Sequence, residues 1–246
     1  FYSRLPSGHG GSGPLNMEEY IKESVNRYKN QNLKFYNKPV YVLKDITNNV
    51  DISKVLSDIE NKIPEYLTGN FEVVYVGDFG IFHEKGRSYN AAFKDGAIYI
   101  TNEQDDYDDL IDDIVHEMAH SIERQSKFND IIYDDGKIEK EFLGKRKYLF
   151  HMLDEPMDMM LDYINPEYDK KFDMHLYKNI GYDKLRNITH SLFFSPYAIT
   201  ALKEYWANGF ENYIVGDYND RKKLKEISPK LFKKIEQILN LDNDEE

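Results

Sequence analysis

The sequence predicts an α+β protein in two lobes, a smaller mixed lobe followed by a mainly helical one, with a cleft between them. Three observations carry this. The β-prone runs Phe71 to Val76 and Ala97 to Thr101 both fall in the first part of the chain. Apolar residues recur at helical spacing from Tyr107 onward. The composition, 41 % hydrophobic and 31 % charged, is that of a chain able to bury a core. Residues 1–14 are set aside as a flexible tail, and residues 15–246 are taken as one domain, with 15–95 forming the first lobe and 96–246 the second.

In order, residues 1–14 (FYSRLPSGHGGSGP) are a Gly/Ser-rich linker of the kind left by a tag, so His9 is excluded from any metal argument. A second reading treats Phe1 to Gly8 as a peptide tethered to reach the cleft. Tyr20, Ile21, Val25 and Tyr28 predict a helix over Met17 to Lys29, and Pro39 to Leu43 a short strand. Asn49 or Asp51 would cap a helix running through Val55, Leu56, Ile59 and Ile63, with Pro64 disturbing its end. Phe71 to Val76 is the strongest strand signal and closes at Gly77-Asp78. A Lys94-Asp95-Gly96 turn then leads into Ala97 to Thr101. That strand is an ordinary sheet member, or it lines the cleft and pairs with an extended substrate, which would make Tyr99 and Ile100 substrate-binding.

Further on, Ile131 to Tyr133 reads as a short extended piece before an Asp134-Asp135-Gly136 turn. Lys137 to Leu161 reads mainly as helix broken at Pro156, and Ser195 to Phe210 mostly as another helix. Ser228-Pro229 marks a helix start, Ser as N-cap and Pro in the first turn, and Asp242 to Glu246 is an acidic tail.

Charge and composition exclude several functions. A formal net charge of −12 disfavours nucleic acid and suits a basic peptide or protein substrate. The chain has no cysteine, which removes disulfides, thiolate metal sites and a thiol nucleophile. No apolar run approaches the roughly 20 residues of a membrane span, and no signal peptide is visible. A monomer is expected.

The chemistry concentrates in Asp105 to Glu123. Tyr107, Leu110, Ile111, Ile114, Met118 and Ile122 form one helical stripe, and aspartates crowd the first turns, where the positive end of the helix dipole favours them. His116 and His120 stand four apart on one face, the separation at which two imidazoles reach a single Zn²⁺, and Glu117 lies beside them as a general base for water. A zincin-like fold follows from this motif. A catalytic zinc needs a third protein ligand. His151, His175 and His190 lie downstream, Glu141 sits at a thermolysin-like distance, and Glu155 is a further choice. Asp113 and Glu123, each three residues from a motif histidine, can orient an imidazole or simply belong to an acidic face.

The segment Glu204-Tyr205-Trp206-Ala207-Asn208-Gly209-Phe210 resembles the Glu-aromatic-aromatic-Ala-x-x-Phe helix of the anthrax lethal factor-like metallopeptidases, a group that includes the secreted Pro-Pro endopeptidases. The resemblance implies that Glu204 is the third zinc ligand and that Tyr197, seven residues before it, stabilises the oxyanion. It covers roughly Gly96 to Leu241, including Ser228 to Phe232. Two departures stand out. Glu204 lies 84 positions after His120, implying an inserted helical region around Lys137 to Tyr182, and Asn208 replaces a frequent second Glu. The expected function is therefore a zinc metalloendopeptidase, a toxin-like gluzincin with Glu117 and Tyr197 catalytic, secreted or else cytoplasmic. The alternative is a catalytically inactive, zinc-stabilised protein-binding module.

Overall fold

In a computed structural model, which describes residues 32–83 and 89–241, the chain divides into two units at Ser121/Ile122. The tail of residues 1–14, the helix predicted over Met17 to Lys29 and the acidic end from Asp242 lie outside the described residues. Among the described residues no helix is long and apolar enough to cross a membrane.

The first unit is built on a five-stranded mixed sheet. Strands β1 (Lys34–Phe35) and β2 (Lys38–Val42) form an antiparallel hairpin, turned by Tyr36 and Asn37 at positive φ. After α1 (Ile52–Glu60), β3 (Val73–Gly77) returns parallel to β2. The hairpin of β4 (Ala91–Lys94) and β5 (Ala97–Thr101) completes the order β1-β2-β3-β5-β4, with β5 parallel to β3. Asp95 (φ 51°) and Gly96 (φ 76°) supply the left-handed pair that a two-residue hairpin turn requires.

Both faces of the central strands are apolar, which explains why they read as continuous hydrophobic runs rather than alternating ones. Val40, Val74 and Ile98 share one row and are fully buried. On the opposite face Tyr41, Tyr75 and Tyr99 sit in register, their rings stacked at 5.8 and 5.5 Å. Asp51 caps α1 through Lys54 N, as its position predicts, but the helix stops at Glu60, so Ile63 packs from the following loop.

The predicted motif helix is α2 (Tyr107–Glu123). Leu110, Ile111, Ile114, Val115, Met118, Ala119 and Ile122 are buried along it. Its start is fixed from two sides. The Tyr107 hydroxyl donates to Asp58 of α1, and the Thr47 hydroxyl and Asn48 amide donate to the Gln104 carbonyl at 2.7 and 2.8 Å.

The second unit is helical: α3 (Ser126–Tyr133), α4 (Lys137–Met152), a 3-10 turn (Met157–Met159) leading into α5 (Met160–Ile164), α6 (Lys170–Met174), a π-helical segment (His175–Gly181), α7 (Tyr182–Thr189), α8 (Leu202–Val215), α9 (Tyr218–Ile227) and α10 (Pro229–Leu239). Ile131 to Tyr133 is therefore the last turn of α3 and not extended. Phe128 and Ile132, one turn apart, are both buried, and this amphipathic burial overrides the β-propensity of the isoleucines.

Buried polar groups tie these helices together. Arg146 of α4 is fully buried between Phe142 and Phe172, its guanidinium 5.1 and 4.3 Å from their ring centroids, and it donates to the carbonyls of Asn165 (2.8 Å) and Asp162 (2.5 Å). The α4 end is closed by Asp154 at φ 53°, with Glu155 N reaching back to Phe150 O and Asp154 N to His151 O, the paired bonds of a Schellman motif.

The predicted helix over Ser195 to Phe210 is two pieces. A 3-10 turn holds Tyr197–Ile199, and Ala201 is extended at φ −159° before α8 begins. The helix start at Ser228-Pro229 forms, yet Ser228 makes no side-chain cap. The cap comes from Glu141 of α4, whose carboxylate accepts from Lys230 N (2.8 Å) and Leu231 N (3.2 Å).

Candidate metal centre

His116 and His120 leave α2 four residues apart, with ring centroids separated by 5.0 Å. Each offers a ring nitrogen, and Glu204 of α8 a carboxylate oxygen, and these three ligand atoms all lie within 4.8 Å of one another. Among the described residues this is the one group of three or more histidine and acidic side chains so arranged. The histidines are half-buried and Glu204 is buried. Two neutral imidazoles and one carboxylate match the donor set of a divalent transition metal with a position left for another ligand.

Two of the expected residues flank this group. Glu117 lies between the histidines on α2 and is 7 % exposed. Tyr197, held in the 3-10 turn, donates its hydroxyl to Glu204 Oε1 at 3.3 Å. The phenol therefore meets the carboxylate although the two residues do not share a helix.

The other candidate third ligands are engaged elsewhere. Glu141 accepts from Tyr205 OH (2.9 Å) in addition to the two amides of α10. Glu155 accepts from Tyr163 OH (2.9 Å) and pairs with His175 Nε2 (2.8 Å). His151 is exposed, and exposed His190 sits with Nδ1 2.9 Å from the Asn187 carbonyl.

The orienting roles weighed for Asp113 and Glu123 find other partners. Asp113 Oδ2 accepts from Gln104 Nε2 at 3.1 Å, and burial pushes its carboxyl up to about 8, offset in part by that hydrogen bond. Glu123, buried in the last turn of α2, accepts from Tyr133 OH at 2.5 Å. Burial, followed by the charge of Glu123, raises the Tyr133 phenol well above its ordinary range, and Glu204 adds to the same effect. Tyr133 was not foreseen as a neighbour of the ligand carboxylate, because its segment reads as extended and its ten-residue separation from Glu123 follows no single-helix repeat.

Tyr99 and Ile100 do not form a substrate edge. β5 is paired on both sides, by β3 and β4, and the two residues are 7 % and 0 % exposed. Backbone pairing with an extended peptide needs an unpaired edge, which in this sheet belongs to β4 on that side. Tyr99 instead packs edge-on against Phe79 at 5.3 Å.

Around Glu204 the α8 helix is held by a buried network. Lys145 Nζ donates to Tyr205 OH (2.7 Å), Ser228 Oγ (2.6 Å) and Leu192 O (2.8 Å), and Tyr205 OH donates onward to Glu141. Burial lowers the Lys145 ammonium to about 8 and drives the Tyr205 phenol up. Gly209, one turn beyond Tyr205, lets α10 approach closely: a Cβ there would stand 2.3 Å from Leu231 Cδ2.

Comparison with protein-family models, curated proteins and solved structures finds no match to this chain.

Proposed function

We propose that the protein is a zinc-dependent endopeptidase with a zincin-like, two-lobed fold, in which His116, His120 and Glu204 hold the metal. The observation that carries this reading is the mutual approach of those three ligand atoms within 4.8 Å, two of them spaced as His-x-x-x-His on one helix and flanking Glu117. The donor set, two imidazoles and a carboxylate without any thiolate, fits zinc, and the resemblance of the α8 segment to lethal factor-like peptidases favours the same ligand.

A zinc ion bound there supplies Lewis acidity toward water and toward a peptide carbonyl. The chain's own groups do the rest. Glu117 accepts a proton from the attacking water and passes it to the departing amine. The Tyr197 phenol, poised beside Glu204, donates to the oxygen of the attacked carbonyl as negative charge develops on it. The Lys145–Tyr205–Glu141 network fixes the helix from which Glu204 projects. A polypeptide substrate, basic in charge, suits the acidic chain.

The test is Glu117→Gln. It should keep about one zinc per chain by elemental analysis yet lose cleavage of a peptide library that the unaltered protein cleaves. A variant that cleaves as well as the parent overturns the scheme. A zinc-loaded parent that cleaves nothing points instead to a metal-stabilised binding module.

A further inference from the structure

The described residues expose six large hydrophobic side chains strongly, and five of them fall within one stretch: Tyr148, Met152, Met157, Leu161 and Tyr177. Met157 and Leu161 are each 73 % exposed. They are one helical turn apart on the path from the 3-10 turn into α5, as Tyr148 and Met152 are on α4. The inner sides of these helices are already filled. Phe150 and Tyr163 meet edge to face at 5.4 Å in the core, and Met152 and Leu161, each two residues from one of them, point about 200° away around the helix. The exposure therefore does not arise from a deficient core.

Composition distinguishes the stretch further. Four of the chain's seven methionines lie between Met152 and Met160. Methionine is flexible and polarisable, and surfaces that must fit a partner's side chains use it. From Tyr148 to Asp169 there are six carboxylates (Asp154, Glu155, Asp158, Asp162, Glu167, Asp169) and no lysine or arginine. Asp154, Asp158 and Glu167 are exposed, so the apolar side chains stand in a field of one sign.

We propose that the outer face of α4, its closing turn and α5 docks a basic amphipathic helix of a partner protein, apolar side against Met152, Met157 and Leu161, cations against Asp154 and Asp158. Charge selects this occupant. A second copy of the chain would bring the same carboxylates face to face, and like charges across an interface are costly. An anionic lipid surface would be repelled for the same reason. A helix with lysines flanking an apolar stripe satisfies both the hydrophobic and the electrostatic requirement. The proposal does not depend on the metal centre.

The experiment titrates the full chain, by fluorescence anisotropy, with a labelled 18-residue leucine/lysine peptide of helical periodicity. The same pattern with glutamate for lysine serves as control. The lysine peptide is expected to bind and the glutamate peptide not. Met157→Ser combined with Leu161→Ser should weaken binding about tenfold or more, as loss of two buried apolar anchors would. Asp154→Asn combined with Asp158→Asn should weaken it less and flatten its salt dependence. Both variants should keep the parent's circular dichroism and melting temperature, because the altered side chains are exposed. No binding, or binding that ignores the Met157/Leu161 pair, overturns the proposal. So does sedimentation showing a parent dimer that this pair of substitutions dissociates, or equal binding to zwitterionic vesicles.

Discussion

Tyr197 and Glu204 meet through a hydrogen bond, phenol to carboxylate Oε1, at 3.3 Å. One residue is in a 3-10 turn and the other in the first turn of α8, with the extended Ala201 between them. The contact is long for a hydroxyl donor, which leaves the phenol free to re-aim when the carboxylate turns to a metal. Tyr197→Phe should therefore lower kcat about 10²–10³-fold and leave zinc content unchanged. Steady-state kinetics beside metal analysis checks both halves, and a loss of metal would reassign the phenol to ligand support.

Glu141 separates two accounts of the third ligand. Its carboxylate caps α10 through Lys230 N and Leu231 N and accepts from Tyr205. Glu141→Ala should cost about 1–3 kcal/mol of stability, the scale for leaving helix-end and phenolic donors unpaired. Zinc stoichiometry should persist, whereas Glu204→Ala should abolish it. Denaturant titration and elemental analysis read the two outcomes separately.

Gly209 is in mid-helix, where alanine is ordinarily favoured by about 1 kcal/mol. Here a methyl would enter the buried Leu231 side chain at 2.3 Å and push α8 from α10. Gly209→Ala is expected to destabilise by about 1–3 kcal/mol, overpacking outweighing propensity. A shift of the urea midpoint to higher concentration would contradict the packing described.

Asp113 predicts a pH dependence. Its folded-state carboxyl titrates at about 8 against an ordinary 3.8, so the folded protein holds a proton that the unfolded chain releases. The stability it contributes is fully present below pH 4 and is lost as pH rises through 8. Asp113→Asn, which mimics the protonated side chain beside Gln104, should be the more stable protein at pH 9 and close to the parent at pH 4. Chemical denaturation of metal-free samples at the two pH values tests this, and a parent that is more stable than the variant at pH 9 would refute it.

Much of this was legible in the residues, and the failures share a cause. The Asp95-Gly96 hairpin, the Asp51 cap and the α2 stripe depend on local backbone preference or periodicity, which short segments encode by themselves. The approach of Glu204 to the motif histidines was suggested only by a family resemblance, since nothing in 84 intervening positions encodes proximity. What could not be read were tertiary replacements of local signals. Ser228 occupies an N-cap position, but Lys145 engages its hydroxyl while Glu141 caps the helix. The last turn of α3 looks extended until Phe128 and Ile132 are buried together. Tyr99 and Ile100 lost their proposed role because strand order, invisible in the sequence, put β5 inside the sheet.

Trp206 is the only tryptophan of the chain, lies two residues after Glu204 and is fully buried against Phe210 at 5.6 Å. The indole is thus an optical sensor embedded in the ligand-bearing helix, with no second emitter to blur it. Its emission reports the seating of α8 from within, so titration with metal can be followed in a cuvette without any label.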